Sequence, residues 1–146
     1  MEFTESRNSI LTKQNIEVVQ EYFNSFQKGN MKQVLNSFHQ DCYIVSVKEE
    51  ERPKEKLHGI YRTKTEAKQF LNNITSLFNT KDFTVEHISS AGENLVVANG
   101  TFSHEVKVTG KLFKSAWVQL CIIEDSKIKE YRFYEDSAAF VSASTL

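Results

Sequence analysis

The chain has 146 residues, of which 40% are apolar and 25% are charged, as in one ordinary globular domain. Its 18 Lys and Arg residues and 19 Asp and Glu residues leave a net charge of −1, so no excess of positive charge attracts nucleic acid or anionic lipid. This composition excludes a disordered or fibrous protein, and we expect no nucleic-acid partner.

The N-terminal stretch MEFTESRNSI lacks the basic start and the apolar run of a signal peptide, and no segment is apolar for long enough to cross a bilayer. We therefore expect a cytoplasmic protein without a membrane partner. Cys42 and Cys121 lie in apolar runs, which predicts buried free thiols rather than a disulfide. The four histidines lack the short paired spacing of zinc ligands, so we expect neither a metal nor another cofactor.

The N-terminal part of the chain predicts a flexible arm followed by a helix. Residues 1–11 are polar and aperiodic. Thr12 is placed to cap a helix over residues 13–28, in which apolar side chains recur at helical spacing, and Gly29 should end that helix.

A second helix and a first strand follow. Asn30 is placed to cap a short helix over residues 31–38, whose apolar positions form one stripe. Residues 42–47, CYIVSV, are β-branched and aromatic and predict a strand. Residues 48–57, KEEERPKEKL, balance their charges and predict a solvated loop.

The rest of the chain predicts a third helix and then a run of strands. Thr63 and Glu66 form a capping box for a helix that should end near Asn79. Strands are predicted over residues 83–89, 95–108, 112–123 and 128–134. Because only turn-like pieces separate these strands, they should pair as an antiparallel meander that covers the helices in an α+β fold. We predict a single domain over residues 12–140 and a C-terminal tail over residues 141–146.

The segment SAWVQLCII carries apolar side chains on both faces of its strand. Trp117, Gln119 and Cys121 should point one way, and Val118, Leu120 and Ile122 the other. Helices on one side of the sheet would leave the second set exposed to water. We therefore expect a homodimer that packs through the outer sheet face, with a well-buried central strand as the alternative.

Three stretches, together with the order of elements, resemble one known family. They are EYFNSFQKGNMKQVLNSFHQDC, HGIYRTKTEAKQFL and KIKEYRFYEDSAAF. The pattern resembles the SnoaL-like branch of the nuclear transport factor 2 superfamily, which includes ketosteroid isomerases and limonene epoxide hydrolases, over residues 15–139. The resemblance implies a cystatin-like cone, in which a curved antiparallel sheet wraps around three N-terminal helices and encloses an apolar cavity. It implies the fold more than the reaction, because the superfamily holds isomerases, cyclases, hydrolases and binding modules.

The resemblance also places two known catalytic machineries on this chain. Tyr22 matches the helix-one tyrosine that donates a hydrogen bond to the developing oxyanion in ketosteroid isomerases. The general base of those enzymes matches Ser46, and their second oxyanion donor, an aspartic acid, matches Gln119. Since neither position keeps a carboxyl group, steroid isomerisation by that mechanism is disfavoured.

Epoxide hydrolysis is disfavoured for a similar reason. The two aspartates and the arginine of the hydrolases match Phe102, Phe133 and Gly100. The tyrosine and asparagine that hold the attacking water match Ile44 and Ser46. None of these polar groups is kept, so the resemblance does not imply epoxide hydrolysis for this chain.

The cavity implied by the resemblance would be aromatic and sparingly polar. Its predicted ligand-binding residues are Tyr22, Phe26, Ile44, Ser46, Phe102, Trp117, Gln119, Tyr131, Phe133 and Glu135. Such a lining suits a small hydrophobic cyclic or aromatic molecule. The alternative is that the aromatic side chains fill the cone as core, although the missing side chain at Gly100 favours open space.

Three residues are candidates for acid–base chemistry: His104, His58 and Tyr22. An unperturbed histidine has a pKa of about 6.5, which suits proton transfer at neutral pH. Tyr22 and Gln119 would then donate hydrogen bonds. Glu135 could reach the rim of the cavity, but the sequence favours a solvated strand end for it. The hypothesis is a SnoaL-like protein that binds a small hydrophobic molecule and uses histidine-based catalysis, and the alternatives are a non-catalytic ligand sensor or a protein-interaction module.

Overall fold

The computed structural model describes the backbone of residues 2–146 and the side chains of residues 10–146. Its elements are α1 (Glu2–Gln27), α2 (Met31–Asn36), β1 (Phe38–Ser46), β2 (Gly59–Arg62), α3 (Thr63–Leu77), β3 (Phe78–Ser90), β4 (Leu95–Val106), β5 (Leu112–Glu124), β6 (Lys127–Glu135) and α4 (Ser137–Ser144).

Helix α1 is longer than the sequence predicted. It begins at Glu2 and continues through Thr12, so the predicted start and cap at Thr12 are wrong. Extending a helix that is already formed costs far less than starting one, so a polar segment can continue α1 without an apolar stripe. Met1, the first residue of the predicted arm, lies outside the described residues. Gly29 adopts a φ of +72° just after the helix, as predicted for a residue that ends it.

Helix α2 ends earlier than predicted, and β1 begins earlier. The Asn30 side chain accepts a hydrogen bond from the Gln33 amide at 3.2 Å, which confirms the predicted cap. The helix ends at Asn36, and Phe38 starts the strand, although its spacing fitted the helical stripe. Phe38 pairs with Ile128 of β6, so a tertiary contact overrides the local pattern.

The segment from β2 to α3 holds one element that the sequence did not predict. Strand β2 has only four residues and pairs antiparallel with β1. Helix α3 is capped one residue earlier than predicted, because the Glu66 carboxylate accepts a hydrogen bond from the amide of Arg62 at 2.6 Å. Thr63 is therefore the first helical residue, and α3 ends at Leu77, two positions before the predicted end.

The six strands form one curved sheet in the order β2-β1-β6-β5-β4-β3. The predicted antiparallel meander of β3 to β6 is confirmed. The pairing of β1 with β6 is parallel, so the sheet is antiparallel everywhere except at that one pair. The predicted α+β class, with N-terminal helices against one face of the sheet, is confirmed.

The two faces of β5 are sorted as predicted. Trp117, Gln119 and Cys121 are at most 1% exposed and face the helices. On the outer face, Val118 is 42% exposed and Leu120 is half-buried. A second copy covering this face stays a prediction.

Gly100 serves close packing and not open space. A Cβ atom at this position would lie 1.8 Å from the Thr84 carbonyl oxygen and 2.9 Å from the Trp117 ring. The glycine lets β3 approach β4 beside the irregularity between Val85 and His87. The interpretation of Gly100 as a sign of a cavity was wrong.

The C-terminal segment forms a helix where the sequence predicted a tail. The Asp136 carboxylate caps α4 by accepting a hydrogen bond from the Ala139 amide at 3.0 Å. Thr109 donates a hydrogen bond to the Ala143 carbonyl, which fastens α4 to the turn after β4. The predicted end of the domain at residue 140 therefore falls inside a packed helix.

Both cysteines are free and buried, as predicted. Burial raises the pKa of the Cys42 thiol to about 11 and that of Cys121 to about 12, so both stay protonated at neutral pH. Among the described residues, no helix combines the length and the hydropathy needed to cross a membrane. The same part of the chain shows no group of three or more metal-ligating side chains.

Candidate functional site

A small cavity lies between α1, α3 and the concave face of the sheet. Its volume is about 40 Å³. It is lined by Tyr22, Phe23, Phe26, Ser46, Leu57, Phe70, Ile74, Phe78, Phe83, Phe102, His104, Gln119, Tyr131, Phe133 and Glu135. This volume holds roughly two or three water molecules, whereas sites for small molecules usually exceed about 300 Å³. Aromatic side chains therefore nearly fill the hollow, as in the alternative that the sequence left open.

Most of the residues predicted to bind a ligand line this cavity. Tyr22, Phe26, Ser46, Phe102, Gln119, Tyr131, Phe133 and Glu135 do so, as does His104. Ile44 and Trp117 are buried but pack behind the lining. The sequence reasoning missed Phe23, Leu57, Phe70, Ile74, Phe78 and Phe83. The predicted apolar stripes of the first and third helices already contained four of these residues, Phe23, Phe70, Ile74 and Phe78.

Tyr22 and Tyr131 hydrogen bond to each other in the cavity wall. Their hydroxyl oxygens are 3.1 Å apart, and each residue is 2% exposed. Burial raises the pKa of both phenols well above the ordinary value, so both stay protonated. One hydroxyl donates to the other, which leaves one O–H group able to donate to a ligand. Tyr22 is thus suited to orient a ligand and not to act as a base.

His104 lies between two phenyl rings. Its ring centroid is 4.6 Å from that of Phe78 and 4.2 Å from that of Phe102, and Nδ1 is 3.0 Å from the Thr80 hydroxyl. Burial lowers the pKa of His104 to about 4. The imidazole is therefore neutral at neutral pH and much less basic than an unperturbed histidine. The catalytic role of His104 was predicted from the ordinary pKa of a histidine, and the lowered pKa removes that argument.

His58 and Glu135 form a buried pair at the edge of the cavity. His58 Nε2 lies 3.7 Å from Glu135 Oε1, and the two side chains are 12% and 5% exposed. His58 Nε2 and Glu135 Oε2 have no hydrogen-bond partner. The solvated strand end favoured for Glu135 was wrong, because β6 keeps this side chain on the concave face and α4 begins two residues later. Of the two candidate histidines, only His58 has a carboxylate beside it in the described structure.

The loop that carries His58 is held firmly, although its charges predicted a solvated loop. The Tyr61 hydroxyl donates to the Leu57 carbonyl at 2.6 Å, and the Asn73 amide donates to the Lys56 carbonyl at 3.2 Å. The Arg52 guanidinium lies over the Tyr61 ring, 3.3 Å from its centroid. These contacts hold the backbone of Lys56 and Leu57, the two residues that precede His58.

The polar groups on the cavity wall are few and have unused hydrogen-bonding capacity. Gln119 donates weakly to the Cys121 sulfur at 3.4 Å, while its Oε1 has no partner. Glu135 is the one carboxylate among the lining residues in the described part of the chain. The wall therefore offers acceptors at Gln119 and Glu135 and a donor at the tyrosine pair. Such a set can orient an oxygen-bearing ring and move a proton on it.

The family comparison agrees with the predicted resemblance. The family model described as "SnoaL-like domain" matches residues 19–131. No curated protein matches the chain.

Solved structures share the fold at low sequence identity. A structure of an NTF2-like protein from Burkholderia xenovorans LB400 superposes with a TM-score of 0.77 and 22% identity, over 92% of this chain and 98% of that chain. TerC co-crystallized with polyporic acid gives a TM-score of 0.74 and 19% identity, over 90% and 98%. An LEH-like epoxide hydrolase from M. tuberculosis gives 0.67 and 13%, over 90% of each chain. At these identities the likeness concerns the fold alone.

Proposed function

The chain belongs to the SnoaL-like domain family, and from that premise we propose that it binds a small hydrophobic cyclic or aromatic compound in the cone and moves a proton on it. One observation carries this proposal. A carboxylate that is 5% exposed faces an aromatic cavity, with a histidine 3.7 Å away and one oxygen without a partner. Buried polar groups without partners are uncommon in folded proteins and often mark functional sites.

The lining supplies the groups that such a reaction needs. Glu135 would take a proton from a carbon or oxygen atom of the ligand, and would return it to another atom of the same ligand. His58 would hold the carboxylate in place and share the charge of the pair. The free hydroxyl hydrogen of the Tyr22–Tyr131 pair would donate to the ligand oxygen on which negative charge builds up. The base would thus come from β6, and not from the position of Ser46 that ketosteroid isomerases use.

The cavity must widen to admit such a compound. Phe26, Phe83 and Phe133 line it and are only half-buried. Rotation of these rings would enlarge the space without breaking a hydrogen bond of the sheet. The ligand class follows from the lining, which is aromatic except for a few oriented polar groups.

A thermal-shift screen against polycyclic, terpenoid and phenolic compounds tests binding, and mass spectrometry of each hit tests conversion. Bound ligand should raise the melting temperature of the wild-type protein. Glu135→Gln and His58→Gln should retain binding and strongly reduce conversion. The chain offers a matched control in His39 and Asp125, which also lie 3.7 Å apart, with the Asp125 side chain 81% exposed. His39→Gln and Asp125→Asn should convert the ligand as the wild type does.

A non-catalytic module is the second candidate, and the small cavity favours it. If the aromatic side chains stay packed, the protein would act through its surface as an interaction module. If a compound binds without conversion, the protein would be a ligand sensor. A screen in which no compound raises the melting temperature would favour the interaction module, and hits without products would favour the sensor.

We also propose that the protein forms a homodimer through the outer sheet face. This face presents Val118, 42% exposed, and Tyr134, 37% exposed, on adjacent paired positions of β5 and β6. Half-buried Leu120 and Ile122 extend the apolar surface along β5. Contiguous exposed apolar surface on a sheet commonly marks a protein interface.

A further inference from the structure

Helix α4 packs against His58, the histidine of the His58–Glu135 pair. The ring of Phe140 lies 4.5 Å from the His58 ring, centroid to centroid. It also contacts Phe78 and Phe113 edge-on, at 6.1 and 5.5 Å. His58 therefore contacts both Glu135, which lines the cavity, and the half-buried ring of Phe140.

Helix α4 is held mainly at its two ends, where the Asp136 carboxylate caps its first turn and Thr109 donates a hydrogen bond to the Ala143 carbonyl. The helix has eight residues, and Ala143 is its one buried residue. Val141 on the same helix is 60% exposed. Helices of this length are not stable alone, and segments with few buried contacts open far more often than the core of a sheet. The link at Asp136, which follows Glu135 directly, is where α4 would separate from β6.

We propose that α4 is the removable wall of the site, and that Phe140 controls which compounds reach His58 and Glu135. Detachment of α4 would uncover the pair while leaving the sheet and the helices α1 and α3 intact. Loss of the phenyl group alone would open a passage to His58 and admit larger ligands. The proposal rests on the proposed function in treating the pair as the site, but the opening itself does not depend on any reaction.

A second route competes with this one. A surface groove between α1, α3 and β3 shares four apolar side chains with the cavity: Phe26, Ile74, Phe78 and Phe83. Entry there would reach the cavity from the side of Phe83, without moving α4. The two routes make opposite predictions for Phe140, because only the first exposes His58.

Carbethoxylation of histidines by diethyl pyrocarbonate, followed by mass spectrometry, distinguishes the routes. His58 Nε2 is fully buried by the present packing, so the wild type should react slowly there. In Phe140→Ala we expect the His58 rate to rise by about 5- to 30-fold, the factor for a loss of one to two kcal/mol of local protection. A chain that ends at Asp136 should show a larger rise. Val141→Ala, on the exposed side of the same helix, should react as the wild type does.

Two internal references keep the experiment decisive. Exposed His87 should react at one rate in every variant, and buried His104 should stay protected if only α4 has opened. If the truncated chain unfolds, the His58 rate in Phe140→Ala tests the proposal by itself. An unchanged His58 rate in Phe140→Ala overturns the proposal, even if Glu135→Gln abolishes conversion. A raised rate supports it, even if Glu135→Gln shows that the proposed function is wrong.

Discussion

The hydroxyl groups of Tyr22 and Tyr131 lie 3.1 Å apart inside the cavity wall. They connect α1 to β6, although the two residues are 109 positions apart in the sequence. Each phenol is buried among aromatic rings, so bulk solvent does not compete for the two hydroxyl groups. The pair therefore links the packing of the helices to the orientation of a hydrogen-bond donor in the cavity wall.

Replacement of either tyrosine with phenylalanine should leave a buried hydroxyl without a partner. We expect Tyr22→Phe and Tyr131→Phe each to lower the free energy of unfolding by about 1 kcal/mol. The double variant should lose less than the sum, because it removes both polar groups and leaves none unpaired. Urea unfolding of the four proteins measures this coupling, and additive losses would show that the two hydroxyls do not depend on each other.

His104 should make stability depend on pH. Its pKa of about 4 in the folded protein is below the value of about 6.5 for an unfolded histidine. The unfolded chain therefore binds the proton first as the pH falls, so this contribution is complete above about pH 6.5 and is lost progressively toward pH 4. Between pH 7 and pH 5 the loss should be about 2 kcal/mol.

The variant His104→Phe isolates this effect, since a phenyl group can stack between Phe78 and Phe102 but cannot be protonated. The difference in unfolding free energy between pH 7 and pH 5 should be about 2 kcal/mol smaller in this variant than in the wild type. Equal pH dependence in both proteins would mean that the imidazole is protonated as easily in the folded protein as in the unfolded chain.

Gly100→Ala should damage the pairing of β3 with β4. The added methyl group would meet the Thr84 carbonyl oxygen at 1.8 Å, and backbone cannot move aside as a flexible side chain can. We expect a loss of about 3 kcal/mol or more. Gly110→Ala is the control, because that position has open space and only a φ of +73° to penalise a side chain. It should cost about 1 to 2 kcal/mol, and a similar cost at both positions would contradict the close approach.

A charge on the outer sheet face should abolish the proposed dimer. Val118→Asp places a carboxylate in the apolar patch, whereas Val108→Asp changes a more exposed valine, at 75%, on the turn after β4. Sedimentation at micromolar concentration should give a dimer for the wild type and for Val108→Asp, and a monomer for Val118→Asp. A monomeric wild type would rule out the dimer.

Periodicity predicted the elements that bury a continuous apolar pattern. The stripes of α1 and α3 and the alternation along β5 gave the helices, the meander and the inward direction of Trp117. Short elements were missed because they carry too few residues for a period. Strand β2 has four residues, and α4 reads SAAFVSAS without an apolar stripe. The one local signal for α4 was Asp136, three positions before the amide that it caps.

Because the sequence did not predict α4, the predicted exposure of Glu135 was wrong as well. The alternation along β6 indicated correctly that Glu135 points inward, but its exposure depended on what lay beyond the strand. Without α4 the Glu135 carboxylate would lie at the open end of β6, so the sequence predicted that it is exposed to solvent. The size of the cavity could not be predicted from the sequence either, because it depends on the rotamers of aromatic rings and not on which residues line the wall.

The most direct test of the proposed function is the kcat/KM of Glu135→Gln relative to Asp125→Asn on a compound that stabilises the wild type. The first variant alters the buried carboxylate beside His58, and the second alters the exposed carboxylate beside His39. We predict a loss of about 10²- to 10⁴-fold for Glu135→Gln and no change for Asp125→Asn, as expected when one positioned base is removed. Equal activity in the two variants would contradict a catalytic role for Glu135.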